Sequence, residues 1–334
     1  MRYLVTGGSG FIGSHLIEAL LTAGHQVTSL DDYSTGDGRN LRHLRGHSAL
    51  RILHGSVCDE LAVDQAVEDA DAVIHLAAAV GVKRILERQV QGIMTNLRGT
   101  EVVLRAAAGR GGLPVFLASS SEVYGKGVQA PFREDDDSVL GATSLHRWSY
   151  ACAKAMDEFL ALAYYRERGL PVIVGRFFNI TGPRQSPAYG MVLPRFCMAQ
   201  LQGQPLQVYG DGQQSRCFLH VADCVSAVQQ LLACPQAIGQ VVNIGGTEEV
   251  TIGDLAQRVV DLAGAGSITT IPYETAYPEG GFEDLRRRVP SVDRLQALTG
   301  WQAERGLDAI VTDCLAACRD QLGEAEAATA GEEQ

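Results

Sequence analysis

Short apolar runs alternate, through the first half of this chain, with stretches whose apolar residues recur at helical spacing. Tyr3–Thr6, Gln26–Leu30, Arg51–His54, Ala72–Leu76, Val115–Ala118 and Val172–Arg176 read as buried strands. Ser14–Ala23, with Leu16, Ile17, Leu20 and Leu21 on one face, reads as a helix, as do Leu61–Val67, Thr95–Ala108 and Tyr150–Glu167. This alternation predicts an α/β fold, a doubly wound parallel sheet with helices on both faces and ligands bound beyond the carboxyl ends of its strands.

The pattern loosens after Arg176. Gly182-Pro183, Ser186-Pro187 and Tyr189-Gly190 are loop signals. Helices are expected at Pro194–Gln202, Val221–Cys234, Thr251–Ala263 and Leu307–Gln321, and strands at Leu206–Tyr209 and Val241–Ile244, the last returning to the main sheet. The expected organisation is a nucleotide-binding domain over residues 1–175 with a returning segment at about 213–245. A smaller interleaved substrate-binding lobe takes 176–212 and 246–322, and an acidic Ala/Glu-rich tail, read as disordered, takes 323–334.

The first strand runs into Thr6-Gly7-Gly8-Ser9-Gly10-Phe11-Ile12-Gly13, which opens the first helix. A glycine turn between strand and helix is a phosphate site: Gly7 for the tight turn, Gly10 for backbone approach, Gly13 for close helix–strand packing, and free helix N–H groups toward the phosphates. The second strand ends in Asp31-Asp32, about 20 residues on, as a dinucleotide fingerprint requires. A carboxylate there accepts hydrogen bonds from both hydroxyls of an adenosine ribose and repels a 2′-phosphate, which points to NAD and a Rossmann fold.

Composition narrows the function further. Of 334 residues, 46% are hydrophobic and 20% charged, with a net charge of −11. That balance argues against a nucleic-acid or anionic-membrane surface. No apolar run is long enough to span a bilayer and no leader pattern is present. The eight cysteines form no C-x-x-C pair, so reduced thiols, no metal site and a cytoplasmic location are expected.

Tyr150 and Lys154 stand at i, i+4 and share a helix face. A cation beside a phenol favours phenolate, which would make Tyr150 a proton acceptor near neutrality. The strand end Ala118-Ser119-Ser120-Ser121-Glu122-Val123-Tyr124-Gly125 adds hydroxyls and a carboxylate at the same sheet edge.

Together these motifs resemble the extended short-chain dehydrogenases/reductases that act on nucleotide sugars. The resemblance rests on Thr6–Gly13, Asp31, His75-Leu76-Ala77-Ala78, Asn96-x-x-Gly-Thr, the serine strand end, Tyr150-x-x-x-Lys154, Arg176-x-Phe-Asn179, Gly182-Pro183-Arg184 and Gly210–Asp223, and covers residues 1–320. It implies that Ser120 hydrogen-bonds the sugar 4-hydroxyl, that Tyr150 takes its proton, and that Lys154 contacts the nicotinamide ribose. By the same resemblance Gly7, Gly10, Phe11, Ile12, Gly13, Asp31, Asp32, Val57, Leu76, Ala77, Ala78, Asn96 and Phe177 bind the cofactor. Ser56 stands where the family often has an adenine-contacting Asp, so its contact is weaker or water-mediated. Lys83, Asn179, Val192, Leu193, Gln207, Tyr209, Arg216 and Arg288 are the implied substrate contacts. A homodimer through the helices Thr95–Ala108 and Tyr150–Glu167 is implied as well.

A transient 4-keto sugar has several fates, and the motifs divide between them. Ser121-Glu122 and Arg147-Trp148-x-Tyr150 resemble UDP-glucuronate decarboxylases, whereas Gly182-Pro183-Arg184-Gln185 with Tyr189-Gly190-Met191-Val192 resembles bacterial 4-epimerases. Arg288 fits both. The sequence reading favours a 4-epimerase of a UDP-hexose or UDP-glucuronate, with UDP-glucuronate decarboxylase as the alternative. A non-catalytic NAD-binding regulator is the reading outside enzymes, and a regulator needs none of Ser120, Tyr150 and Lys154.

Overall fold

The computed structural model describes residues 1–35, 38–80, 88–127, 129–187, 191–276 and 285–332, with only the backbone beyond Gly323. The first half builds β1 (Arg2–Thr6), α1 (Phe11–Thr22), β2 (Gln26–Asp31), β3 (Leu50–His54), α2 (Glu60–Ala66), β4 (Ala72–His75), α3 (Gln89–Gly109), β5 (Val115–Ser120), α4 (Trp148–Arg168) and β6 (Val172–Phe177). The expected elements are all present. Within this half the largest difference at a boundary is α3, which begins six residues before Thr95.

Beyond β6 the chain forms β7 (Ile180–Thr181), α5 (Val192–Leu201), β8 (Leu206–Tyr209), β9 (Ser215–Cys217), β10 (Leu219–His220), α6 (Val221–Leu232) and β11 (Val241–Ile244). It ends with β12 (Glu249–Thr251), α7 (Ile252–Ala263), β13 (Ile268–Ile271), α8 (Tyr273–Ala276), β14 (Arg287–Arg288), α9 (Asp293–Thr299) and α10 (Leu307–Glu332). The last helix continues through the segment expected to be a disordered tail. Its Ala/Glu composition has high intrinsic helix propensity, enough for the backbone to extend a helix already begun.

Seven parallel strands form the central sheet in the order β11-β6-β5-β4-β1-β2-β3. The order reverses between β1 and β4, the crevice where such sheets bind ligands. Alternation along each strand explains the layers. Tyr3, Val5, Ile74, Phe116 and Ile173 enter a core with α1 and α6, while Leu4, Val73, Leu117 and Val174 enter a second core with α2, α3 and α4. Both faces are covered, as expected of a parallel sheet with near-continuous apolar strands.

A third core packs α5, β8, α7 and α10 around Phe196, Leu206, Leu255 and Val311. Buried Arg176 at the end of β6 forms two hydrogen bonds to Glu158 of α4, at 2.9 and 2.7 Å. The guanidinium fork thus joins the sheet edge to the helix that carries Tyr150 and Lys154. Among the described residues, no helix is long and apolar enough to cross a membrane, and no cluster of His, Cys, Asp or Glu has metal-ligand geometry.

Candidate active site

A cleft of about 1080 Å³ opens along the carboxyl ends of β1 to β6. Its floor is the glycine turn. Gly7 has φ +69°, and a Cβ there would lie 2.8 Å from Ala77 N, so only glycine fits between β1 and the loop after β4. A Cβ on Gly13 would lie 2.2 Å from Gly7 O, which forces the first turn of α1 against the strand end. No described side chain caps α1, so its first N–H groups face the cleft. They form a cradle for a diphosphate.

Asp31 closes the adjoining end. Its carboxylate accepts from Ser9 N and Tyr33 N, each at 2.9 Å, and is held at the tip of β2. Burial raises its pKa, opposed by those two N–H groups. Asp32 accepts from Ser34 N at 2.9 Å. Both acids line the cleft with Gly10, Phe11, Ile12, Val57, Leu76, Ala77, Ala78, Phe177, Tyr150 and Lys154. These residues fit a dinucleotide: an uncapped helix end for its phosphates, a carboxylate for its ribose and an apolar wall beyond.

Other expected cofactor contacts are engaged elsewhere. Asn96 is buried, and its Oδ1 accepts from Ala79 N at 2.8 Å, so it anchors the loop after β4 instead of lining the cleft. Ser56 Oγ accepts from Cys58 N at 3.2 Å and closes the turn after β3. In exchange the 3₁₀ segment Gly38–Leu44 brings Arg39, Asn40 and His43 to the cleft, with Asn40 Nδ2 donating to Ser9 O at 2.9 Å. This polar stretch carried no periodic signal in the sequence.

At the inner end, β5 delivers Ser120 into the 3₁₀ turn Ser121–Tyr124. Ser120 Oγ accepts from Glu122 N at 3.2 Å, and Tyr150 hydrogen-bonds Ser120. Lys154 Nζ donates to Ala118 O at 3.1 Å and to Asp157 Oδ2 at 3.2 Å. The Tyr150 pKa therefore differs from the sequence expectation. Burial raises it, Glu122 raises it further, and the Ser120 hydrogen bond only partly offsets them. The cation expected to depress it is ion-paired with Asp157.

Glu122 is the centre of a charge cluster. Arg288 Nη1 donates to its Oε1 at 2.8 Å, and Arg147 Nη2 to its Oε2 at 3.3 Å. Arg288 Nη2 also bonds Ser121 Oγ. Burial pushes the Glu122 carboxyl up, but Arg288, Arg147 and Arg216 together hold it below its ordinary value. Arg216 itself donates to Ser215 O at 2.7 Å and to Leu285 O at 2.6 Å.

The remaining expected substrate contacts are distributed around the third core. Leu193 is buried within it and Val192 packs against it, so their side chains serve packing. Asn179 Nδ2 donates to Cys217 O at 3.1 Å, tying the end of β6 to β9. Gln207 is exposed on β8, and the Arg195 guanidinium lies over the Tyr209 ring at 4.1 Å. Lys83 lies outside the described residues. The Glu122 contacts with Arg147 and Arg288 could not be read from local pattern.

The model of the NAD dependent epimerase/dehydratase family matches residues 3–245. The chain is 44% identical, over 300 residues, to UDP-N-acetyl-alpha-D-glucosaminuronate decarboxylase of Bacillus cytotoxicus, covering 89% of this chain and 91% of that one. It is 33% identical to UDP-glucuronic acid decarboxylase 1 of Xenopus tropicalis, covering 90% and 68%. Among solved structures it is similar to the UDP-glucuronic acid 4-epimerase of Bacillus cereus in complex with UDP-glucuronic acid and NAD, with a TM-score of 0.86, 25% identity, and 96% and 100% of the two chains covered.

Proposed function

The chain belongs to the NAD dependent epimerase/dehydratase family, and on that premise we propose that it decarboxylates a UDP-linked hexuronate, first among them the 2-acetamido sugar UDP-N-acetylglucosaminuronate. The observation that carries the reading is the cluster at Glu122. Two guanidiniums, Arg288 and Arg147, contact one carboxylate there, at the strand end beside Tyr150. A cluster that already binds one carboxylate through arginines has the chemistry to meet the C5 carboxylate of a hexuronate. An arginine that grips this carboxylate also opposes the ring rotation that C4 inversion requires.

When bound, NAD supplies reversible hydride transfer at the sugar C4. Ser120 and Tyr150 hold the 4-oxygen, and Tyr150 as the phenolate accepts its proton and, as the phenol, later returns it. With C4 a ketone, the substrate is a β-keto acid. The bond from C5 to its carboxyl carbon breaks, carbon dioxide leaves, and the electron pair passes into the C4 carbonyl as an enolate. A proton then adds at C5. Ionised Glu122, fixed by Arg288, places negative charge beside the departing carboxylate, a repulsion that loss of carbon dioxide relieves.

The expectation of a 4-epimerase rested on the Gln185–Met191 loop. Gln185 Oε1 accepts from Thr181 Oγ1 at 2.8 Å, and its Nε2 donates to Ile180 O at 3.0 Å. Its amide thus ties Gln185 to β7, while residues 188–190 of the loop lie outside the described residues. The 44% identity to a hexuronate decarboxylase supports the alternative instead. In this reading the third core is the substrate lobe and the enzyme works as a cytoplasmic homodimer. Exposed Val90 and Met94 on α3 and Met156 and Phe159 on α4 would form the contact.

The test is incubation of the NAD-loaded protein with UDP-N-acetylglucosaminuronate, UDP-glucuronate and the corresponding hexoses, with product masses and released carbon dioxide measured. Product of unchanged mass from every sugar would defeat the proposal.

A further inference from the structure

The geometry points to Asp157 as a positioning residue, a buried counter-ion that binds the Lys154 ammonium and cancels the charge that would otherwise stabilise the Tyr150 phenolate. This rests on Tyr150 being the proton acceptor of the proposed reaction and is independent of which sugar is processed. Tyr150, Lys154 and Asp157 follow at i, i+4 and i+7 along α4 and share one face. Lys154 Nζ donates to Asp157 Oδ2 at 3.2 Å and to Ala118 O of β5 at 3.1 Å. Among the described residues neither bond goes to Tyr150, which hydrogen-bonds Ser120. The Lys154 and Asp157 side chains are only 3% and 0% exposed, so little water screens either charge and each cancels the field of the other.

The surrounding charges single out this carboxylate. Glu158, the next residue of α4, is bound by the Arg176 fork, which leaves Asp157 as the counter-ion of Lys154. His75 of β4 offers no charge, because burial pushes its pKa down to about 3 and Lys154 pushes it the same way. Burial raises the Asp157 pKa, and Lys154 opposes that rise. At the phenol, burial is the largest influence and raises the pKa, and Glu122 raises it further. Ser120 lowers it, Asp157 raises it and Arg288 lowers it. A bare ammonium on the same helix face would favour the phenolate. With Asp157 in place Lys154 is anchored between α4 and β5, and the phenol keeps its proton in the resting protein.

The test is an ultraviolet titration of phenolate in the full-length, NAD-loaded protein with no sugar present. The spectrum of Tyr150→Phe in the same background is subtracted, so that this one phenol is read. Asp157→Asn keeps the shape of the side chain and removes its charge, and the Tyr150 phenolate should then appear at lower pH than in the wild type. Adding Lys154→Met removes the cation that Asp157 had balanced, and the onset should return to about its wild-type pH. A general loosening of the helix would leave the onset low in both variants. A single buried charge is costly, so should Asp157→Asn fail to fold, Asp157→Ser, equally uncharged and smaller, is read in its place. An onset unmoved by loss of the carboxylate, or still low in the double variant, would overturn the assignment. Failure of the decarboxylase reading would leave these titrations untouched.

Discussion

Glu122 and Arg288 meet at 2.8 Å although 166 residues separate them, the carboxylate from the turn after β5 and the guanidinium from β14. The contact joins the end of β5 to the second half of the chain. It also holds the Glu122 pKa below its ordinary value against the burial that raises it.

Arg288→Met removes the largest charge that lowers the Glu122 pKa, so burial should then raise it. The acidic limb of the pH–rate profile should move to higher pH, and turnover should fall by at least about 100-fold because the substrate carboxylate also loses its partner. A group with a depressed folded pKa contributes stability above its unfolded value and loses it as pH falls through the folded value. The stability gap between wild type and variant should therefore be widest above about pH 4.5, the ordinary Glu value, and narrow below it. Denaturant titrations across that range check the second claim, and an unmoved acidic limb would count against the first.

Tyr150→Phe keeps the ring and removes the oxygen that exchanges the proton. A fall in turnover of about 100-fold or more is expected, with NAD affinity unchanged. Because Glu122 raises the phenol's pKa, Glu122→Gln should lower it, and an ultraviolet titration of phenolate should begin at lower pH than in the wild type. Normal turnover by the Phe variant would remove Tyr150 from the mechanism.

The sequence revealed the fold where backbone pattern carries it. Apolar runs marked the central strands, and Gly7, Gly13 and Asp31 declared the cofactor site because their roles are local to one strand–turn–helix unit. Strands of two or three residues, such as β7 and β14, are too short to leave a periodic trace. Side-chain direction was the harder quantity. Asn96 and Ser56 have cofactor-binding chemistry, and each also accepts a hydrogen bond from a nearby backbone N–H, a second role that spacing does not reveal. Burial and the charge of Glu122, neither visible in the i, i+4 spacing, raise the Tyr150 pKa against the expected direction. Arg184 and His43 become cleft residues only when distant segments fold onto α1.

Asp31 should make the protein bind NAD well over tenfold more tightly than NADP, since a 2′-phosphate in the cleft would meet the carboxylate that lines it at the tip of β2. Asp31→Asn should narrow that ratio. Burial raises the Asp31 pKa, so the preference should also weaken as the medium is made acidic. Calorimetric titrations with the two nucleotides check this, and equal affinities in the wild type would contradict it.

Phe159 on α4 is 68% exposed, and α4 packs against α3, which carries exposed Val90 and Met94. Burial of such a face in a homodimer would explain it. Phe159→Glu should then sediment as a monomer at concentrations where the wild type is a dimer. A wild-type monomer, or a variant that dimerises equally well, would remove the proposed contact.

The most direct measurement is the mass of the product formed from UDP-N-acetylglucosaminuronate by the NAD-loaded enzyme, compared with that formed by Glu122→Gln. The wild type should yield a UDP-sugar lighter by one carbon dioxide, and the variant should release little or none. A product of unchanged mass with inverted C4, formed equally well by both proteins, would contradict the role assigned to Glu122 and return the enzyme to the epimerases.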